Sequence, residues 1–213
     1  MTVMTDSAAP KQALAQQNAV LARFGHNDGP RLVGLCGPAG SGKSTVAGMF
    51  EALCGAHQMA LADPIVNMLH SLLADAGVGA EWMTERALKE QPSSIGYSYR
   101  HLAQSLGTEW GRLQLDSNLW IRVAHHRLTE AAAYEHHVVV TDIRYPNEAE
   151  WLQRLGGTLV RVHRPLARNV RLHSSELHPA TLPATETLDN SGSLATLQDQ
   201  VLALARSLGM AVA

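Results

Sequence analysis

Arg31-Leu32-Val33-Gly34-Leu35-Cys36-Gly37-Pro38-Ala39-Gly40-Ser41-Gly42-Lys43-Ser44 is the stretch from which the rest of the chain is read. Arg31 to Cys36 is a short apolar run with the pattern of a strand enclosed in a sheet. It passes without a linker into Gly37–Ser44, which matches G-x-x-x-x-G-K-[ST] at every fixed position. A polyphosphate must be wrapped by backbone amides, and side chains would block that approach. Gly40 and Gly42 let the chain turn so that its N–H groups point inward, while the succeeding helix directs its positive end at the same oxygens. In this pattern Lys43 bridges the β- and γ-phosphates and Ser44 ligates Mg²⁺. Gly37, Ala39, Gly40, Ser41, Gly42, Lys43, Ser44 and Thr45 are therefore the candidate ATP-binding residues.

Working outward, Val46, Met49, Phe50 and Leu53 follow the i, i+3, i+4, i+7 spacing of one buried helix face, and Gly55 supplies a left-handed stop. Gln58–Leu61 reads as a second strand. Asp63 then reads as an N-cap with Pro64 at the first helical position, opening a helix that buries Ile65, Met68, Leu69, Leu72 and Leu73. Residues 74–98 are broken by Gly77, Gly79, Pro92 and Gly96 around a short helix near Thr84–Glu90, a place for a substrate flap. Helices follow over about Tyr99–Leu106 and Asn118–Tyr134. Val138–Asp142 reads as a fully buried strand, Asn147–Leu155 as a helix stopped by Gly156-Gly157, and Thr158–His163 as a strand with one face partly open. The last helix is capped by Ser193 and carries Leu194, Leu197, Val201, Leu204 and Leu208 on one stripe. Short apolar strands alternating with helices argue for an α/β fold built on a parallel sheet.

With 213 residues, 46% hydrophobic and 17% charged, the chain has the composition of one compact globular domain. Residues 1–30, rich in Ala, Gln, Asn and Ser, read as an N-terminal extension to a domain over 31–213. A net charge of −2 provides no global basic field, so binding along nucleic acid is disfavoured. No apolar run approaches membrane-spanning length and no signal-peptide pattern opens the chain, so a soluble cytoplasmic protein is expected. Cys36 and Cys54 lack metal-ligand spacing and read as small buried hydrophobes. The histidines at 125, 126, 136, 137, 163, 173 and 178 form no ligand set.

Three further groups carry chemistry. Asp142 ends a buried strand, as a Walker B carboxylate does when it holds Mg²⁺ or its waters. Arg144 and Glu148 lie in the loop after that strand, where open α/β sheets build ligand crevices. The same spacing also suits a solvated arginine and a first-turn glutamate that stabilises a helix. Arg161, Arg164, Arg168 and Arg171 cluster in an irregular segment, as arginines do on a lid that neutralises a migrating phosphoryl group, or on an exposed basic loop.

Over residues 31–205 the chain resembles the phage-type deoxynucleoside monophosphate kinases, a branch of the P-loop NMP kinase group. The resemblance is carried by Leu61-Ala62-Asp63-Pro64, Arg100 to Gln104 running into Leu106-Gly107-Thr108-Glu109-Trp110-Gly111-Arg112, Trp120, and Thr141-Asp142-Ile143-Arg144 to Asn147-Glu148. Gly156-Gly157, Arg164-Pro165, His173 with Ser175-Glu176, and Asn190-Ser191-Gly192-Ser193 continue it in order. It implies a five-stranded parallel sheet flanked by helices, with a helical substrate region and a lid. It also implies transfer of the γ-phosphoryl group of MgATP to a deoxynucleoside monophosphate, ordinary or base-modified. Apart from the resemblance, a homodimer is the candidate assembly, which the residues themselves do not reveal.

Carried over by position, Asp63, Arg100, Gln104, Gly107, Thr108 and Trp120 resemble nucleotide-substrate contacts, and Asp142, Arg144 and Glu148 lie at the sugar and phosphate. Arg164, Asn190 and Gly192 resemble donor-side contacts, the Asn190–Ser193 turn meeting adenine through its backbone. Lys43, Asp142, Arg144 and Arg168 would carry the transfer, with Ser44 and Asp142 on the metal. His101 stands where a relative has arginine. The rivals are a P-loop kinase of another acceptor, such as dephospho-coenzyme A, which the Leu106–Arg112 block argues against, and a nucleotide-binding switch, for which no Asn-Lys-x-Asp segment is present.

Overall fold

The computed structural model describes residue 24 and residues 29–132, 136–165 and 181–212. The expected extension over 1–30 therefore lies almost entirely outside the described residues, as do Arg168, Arg171 and His173. Of the other two arginines expected on a lid, Arg161 lies instead within the strand Thr158–His163 and donates from Nη2 to Leu182 O, and Arg164 is exposed just after that strand. The chain divides into two compact units, one comprising Ala60–Val123 and the other the residues before and after it.

The larger unit is built on a sheet. β1 (Leu32–Cys36) is buried at all five positions. It pairs in parallel with β3 (Val138–Val140) on one side and with β4 (Thr158–His163) on the other. β2 (His57–Met59) adds to β3, and β5 (Glu186–Asp189) adds to β4, again in parallel. The order β2-β3-β1-β4-β5 is the five-stranded parallel sheet flanked by helices that the sequence implied.

Helix α1 (Lys43–Cys54) buries Val46, Ala47 and Phe50, with Met49 and Leu53 packed at the edge of the same core. It stops as expected at Gly55, whose φ of 63° lets its N–H reach Glu51 O at 2.9 Å. α7 (Leu194–Ser207) brings Leu197, Val201, Leu204 and Ala205 to this core, and Ser193 Oγ caps it by accepting from Thr196 N–H. Leu194, expected on the same stripe, is 64% exposed because it is the helix's first residue. α6 (Pro146–Arg154) buries Trp151 and Leu152.

The smaller unit is helical: α2 (Asp63–Asp75), α3 (Glu81–Thr84), a 3₁₀ turn at Leu88–Glu90, α4 (Tyr99–Gln104) and a π-helix over Ser105–Leu115, followed by the start of α5 (Leu119–Ala132).

Several expectations need correction. β2 begins at His57 and ends at Met59, because its ladder with β3 stops at Val140 and Asp63 Oδ2 then takes the Ala60 N–H. Asp63 is consequently the first residue of α2, with Ala62 as N-cap. On α2 only Ile65, Leu69 and Leu73 are buried, one i, i+4 ridge, whereas Met68 and Leu72 are 40% and 49% exposed. The short helix near Thr84–Glu90 is two separate turns. The helix expected to end at Leu106 widens into the π-helix. β5 matched no expected strand.

At the opposite end of the sheet from the glycine loop, His137 joins three strands. Its Nδ1 accepts from Arg31 N–H at 2.9 Å and its carbonyl accepts from His57 N–H at 2.7 Å. Burial, then the charges of Arg31 and His136, hold its pKa below the usual 6.5. Nδ1 must be unprotonated to accept, so the neutral ring is the folded form. The unfolded chain protonates first as pH falls, so this contribution to stability is complete above about pH 6.5 and is lost on acidification through the lowered folded value. His137→Gln should flatten the decline in unfolding free energy between about pH 7 and 5 relative to wild type, measured by urea titration. Identical pH slopes for the two proteins would remove His137 from the account.

Candidate active site

The glycine loop connects β1 to α1 and turns on three glycines with positive φ, Gly37 at 138°, Gly40 at 79° and Gly42 at 103°. A Cβ on Gly37 would lie 2.6 Å from the Val162 carbonyl oxygen, whereas one on Gly40 would meet nothing within 4 Å. The first glycine is thus required by the sheet beneath it, and the second turns the open rim of the loop. Lys43 Nζ donates to the carbonyls of Gly37 and Pro38 at 2.8 and 2.9 Å, so its ammonium spans the loop's entrance. Ser41 is fully buried, and its Oγ has no hydrogen-bond partner among the described residues. Ser44 and Thr45 are exposed in the first turn of α1, a turn that contains no acidic residue.

These features suit an anion. The backbone is bent for amide donation, the helix's positive end is unopposed, and a buried hydroxyl lacks the partner that such groups normally have. Ser44 and Asp142 together offer the hard oxygen donors that Mg²⁺ prefers. Cys36, immediately before the loop, has its thiol pKa raised by burial, an effect that the charges of Arg161 and Lys43 partly offset. Burial thus favours the neutral thiol at Cys36 over the thiolate.

Asp142 follows β3 at the same, C-terminal edge of the sheet. Thr141 N–H donates to Met59 O at 2.9 Å and Ile143 N–H to Leu35 O at 3.1 Å, so the chain around Asp142 stays bonded to both neighbouring strands. Glu148 is 4% exposed, and its Oε2 accepts from the backbone N–H groups of Arg144 and Tyr145 at 2.8 and 3.0 Å. Its carboxylate thus stitches α6 to the loop bearing Arg144, close to the helix-stabilising alternative that the spacing left open. Arg164 is exposed just after β4. Asn190 is buried directly after β5, and Gly192 is exposed in the next turn.

In the helical unit, Arg100 pairs with Glu90. Gln104 and Thr108 are half-buried on either side of the change from α-helix to π-helix. Trp120 is 5% exposed, and its indole N–H donates to Gly107 O at 2.8 Å. A Cβ on Gly111 would stand 2.5 Å from the indole ring, so that glycine is the space in which Trp120 lies. The reach of Glu148 back to amides three and four residues earlier is local and follows the first-turn pattern. The side-chain role of Asn190 leaves no signal in sequence, since it depends on a carbonyl 149 positions away brought close by folding.

The parallel sheet, the glycine loop at the end of β1 and the helical unit define a P-loop nucleoside monophosphate kinase fold. The profile of the deoxynucleotide monophosphate kinase family matches residues 80–201, more than half of the chain. The chain belongs to that family. It is also 27% identical over 190 residues to a protein of Acanthamoeba polyphaga mimivirus named "Putative deoxynucleotide monophosphate kinase", the match covering 80% of this chain and 94% of the viral one. It is therefore a kinase that phosphorylates a deoxynucleoside monophosphate.

The packing of Trp120 can be measured directly. Trp120→Phe keeps an aromatic ring but withdraws the donor from Gly107 O, and should cost about 1–2 kcal/mol in urea unfolding. Gly111→Ala forces a methyl against the indole and should cost about 1–3 kcal/mol. If Trp120 served only to touch substrate, Trp120→Phe would leave the unfolding curve unchanged.

Proposed function

We propose that the chain transfers the γ-phosphoryl group of MgATP to the 5′-phosphate of a deoxynucleoside monophosphate, yielding the diphosphate for DNA synthesis and ADP. The observation that carries this reading is the glycine loop between β1 and α1, in which a bent backbone, a spanning lysine and a buried hydroxyl without a partner among the described residues converge. Residues 31–213 act as the catalytic part and residues 1–30 as an extension to it.

Amides of Gly37–Ser44 hold the donor phosphates, and the Lys43 ammonium moves from the loop carbonyls onto the β- and γ-oxygens. Ser44 and Asp142 hold Mg²⁺, which when bound neutralises charge on those oxygens. Arg144 meets the charge of the migrating group, its backbone fixed by Glu148, and Arg164 and Arg168 add to that neutralisation. Arg100, Gln104, Gly107 and Thr108 take the acceptor nucleotide. A phosphate monoester dianion is already a competent nucleophile, so no side chain needs to remove a proton. Catalysis then lies in alignment and charge neutralisation, without a covalent enzyme intermediate.

Two measurements test this. Incubation of the full chain with MgATP and each of the four common dNMPs, together with 5-substituted pyrimidine monophosphates, should produce the matching dNDP, resolved by ion-exchange chromatography. ATP loss without any dNDP would sink the proposal. Lys43→Ala should lower kcat by about two to three orders of magnitude with an unchanged melting curve, and undiminished turnover would remove Lys43 from the transfer step.

A further inference from the structure

The residue after β5 reaches back into the glycine loop. Asn190 is 9% exposed, and its Nδ2 donates to the Ser41 carbonyl at 2.8 Å, in a buried hydrogen bond between residues 149 positions apart. Gly42 meets the same side chain, since a Cβ at Gly42 would overlap Asn190 Nδ2. Position 42 is therefore kept bare both by its φ of 103° and by the space that the asparagine takes.

Asn190 is itself fixed from several directions. Its N–H donates to His163 O at 2.7 Å, extending the ladder between β4 and β5. Gln200 of α7 brackets the preceding residue, accepting from Asp189 N–H at 2.8 Å and donating to Asp189 O at 2.9 Å. The Asp189 carboxylate accepts from the N–H and hydroxyl of Ser191 at 3.0 and 2.9 Å, which fixes the turn on the other side.

We propose that Asn190 is a positioning residue for the donor phosphates, acting through the Ser41–Gly42 peptide. The inference rests on the reading that Gly37–Ser44 holds those phosphates. In a planar trans peptide the carbonyl and the following N–H point in opposite directions, and no cis peptide occurs among the described residues. Drawing Ser41 O toward Asn190 therefore turns the Gly42 N–H away from it, as a donor to the anion. A peptide beside glycine flips at little steric cost, and the flip would present a carbonyl oxygen to a phosphate in place of a donor. The buried hydrogen bond selects one of the two orientations before any nucleotide arrives. It also makes the phosphate loop depend on β5 and α7.

Aspartate at position 190 has the size of asparagine but no N–H, and would set an oxygen against the Ser41 carbonyl. The test compares full-length wild type, Asn190→Asp and Asn190→Ala. Calorimetry measures the MgATP Kd, kinetics at saturating ATP measure the acceptor KM, and hydrogen exchange of the nucleotide-free protein reads Ser41–Lys43. Both variants should raise the MgATP Kd about tenfold or more, leave the acceptor KM within about twofold, and speed exchange at Ser41–Lys43 but not in β1 or β4.

An MgATP Kd and loop exchange that stay at wild-type values in Asn190→Asp overturn the proposal. So does equal weakening of ATP and acceptor binding with faster exchange across the sheet, which marks a residue that only stabilises the fold. If Asn190→Ala fails to fold, Asn190→Asp decides on the same criteria. A wild-type chain that binds MgATP but phosphorylates no dNMP defeats the acceptor reading, while the binding and exchange measurements still judge Asn190. A wild-type chain that binds no MgATP overturns both.

Discussion

β1 is hydrogen-bonded along both edges, to β3 through Leu32–Gly34 and to β4 through Val33–Cys36, and none of its residues reaches the surface. A strand enclosed in this way has its backbone groups committed to its neighbours, so its end cannot shift to suit the loop it feeds. The chain leaving Cys36 has to turn within a few residues to lay α1 over the sheet. It does so at Gly37, Gly40 and Gly42, where positive φ is available without a steric penalty. The pressure acts inside the strand too, because a Cβ on Gly34 would strike the Leu152 side chain of α6. The shape of the phosphate loop thus stems from the packing of the strand that delivers it.

The same physics decides which elements are legible in sequence. β1, the glycine loop, the buried face of α1 and its stop at Gly55 were legible because each is specified by neighbours along the chain: an apolar run, a helical period, a left-handed residue. β2 was displaced because the apolar Met59-Ala60-Leu61 run extends past the point where Asp63 takes the Ala60 N–H. β5 was missed because it has a neighbouring strand on one side only, and of its residues Glu186, Thr187, Leu188 and Asp189 only Leu188 is buried, so no alternation marks it. The side-chain role of Asn190 was hidden with β5, since it exists only once that strand lies beside β4.

The π-helix was illegible for a different reason. Gly107 and Gly111 weaken an ordinary helix, and although Leu106, Trp110 and Leu113 keep the spacing of one helix face, that spacing does not distinguish a widened turn from an ordinary one. Its wide turns are supported from outside: the Trp120 indole fills the space above Gly111 and donates to Gly107 O, and Asp116 N–H closes a five-residue turn onto Gly111 O at 3.0 Å. Gly107 and Gly111 are thus the positions at which a later aromatic residue, Trp120, enters. The resemblance to the kinase family flagged this block, whereas local propensity argued against a helix there.

Three loops leave the C-terminal edge of the sheet near one another, after β1, β3 and β5, and each is restrained by a side chain bonded to backbone. Lys43 holds the carbonyls of Gly37 and Pro38, Glu148 the amides of Arg144 and Tyr145, and Asn190 the carbonyl of Ser41. Strand ends release backbone groups that helices and ladders would otherwise satisfy, and leaving them buried and unpaired is costly. Side chains that meet this need also remove the loops' freedom, so the groups aimed at a bound anion require little reorganisation when it arrives. Lys43 differs from the other two, because a flexible ammonium can leave its carbonyls for a phosphate, whereas Glu148 and Asn190 are buried and tied to elements of the fold. Under the proposed reaction, the first is the group that moves onto the transferring charge and the other two keep the frame still around it.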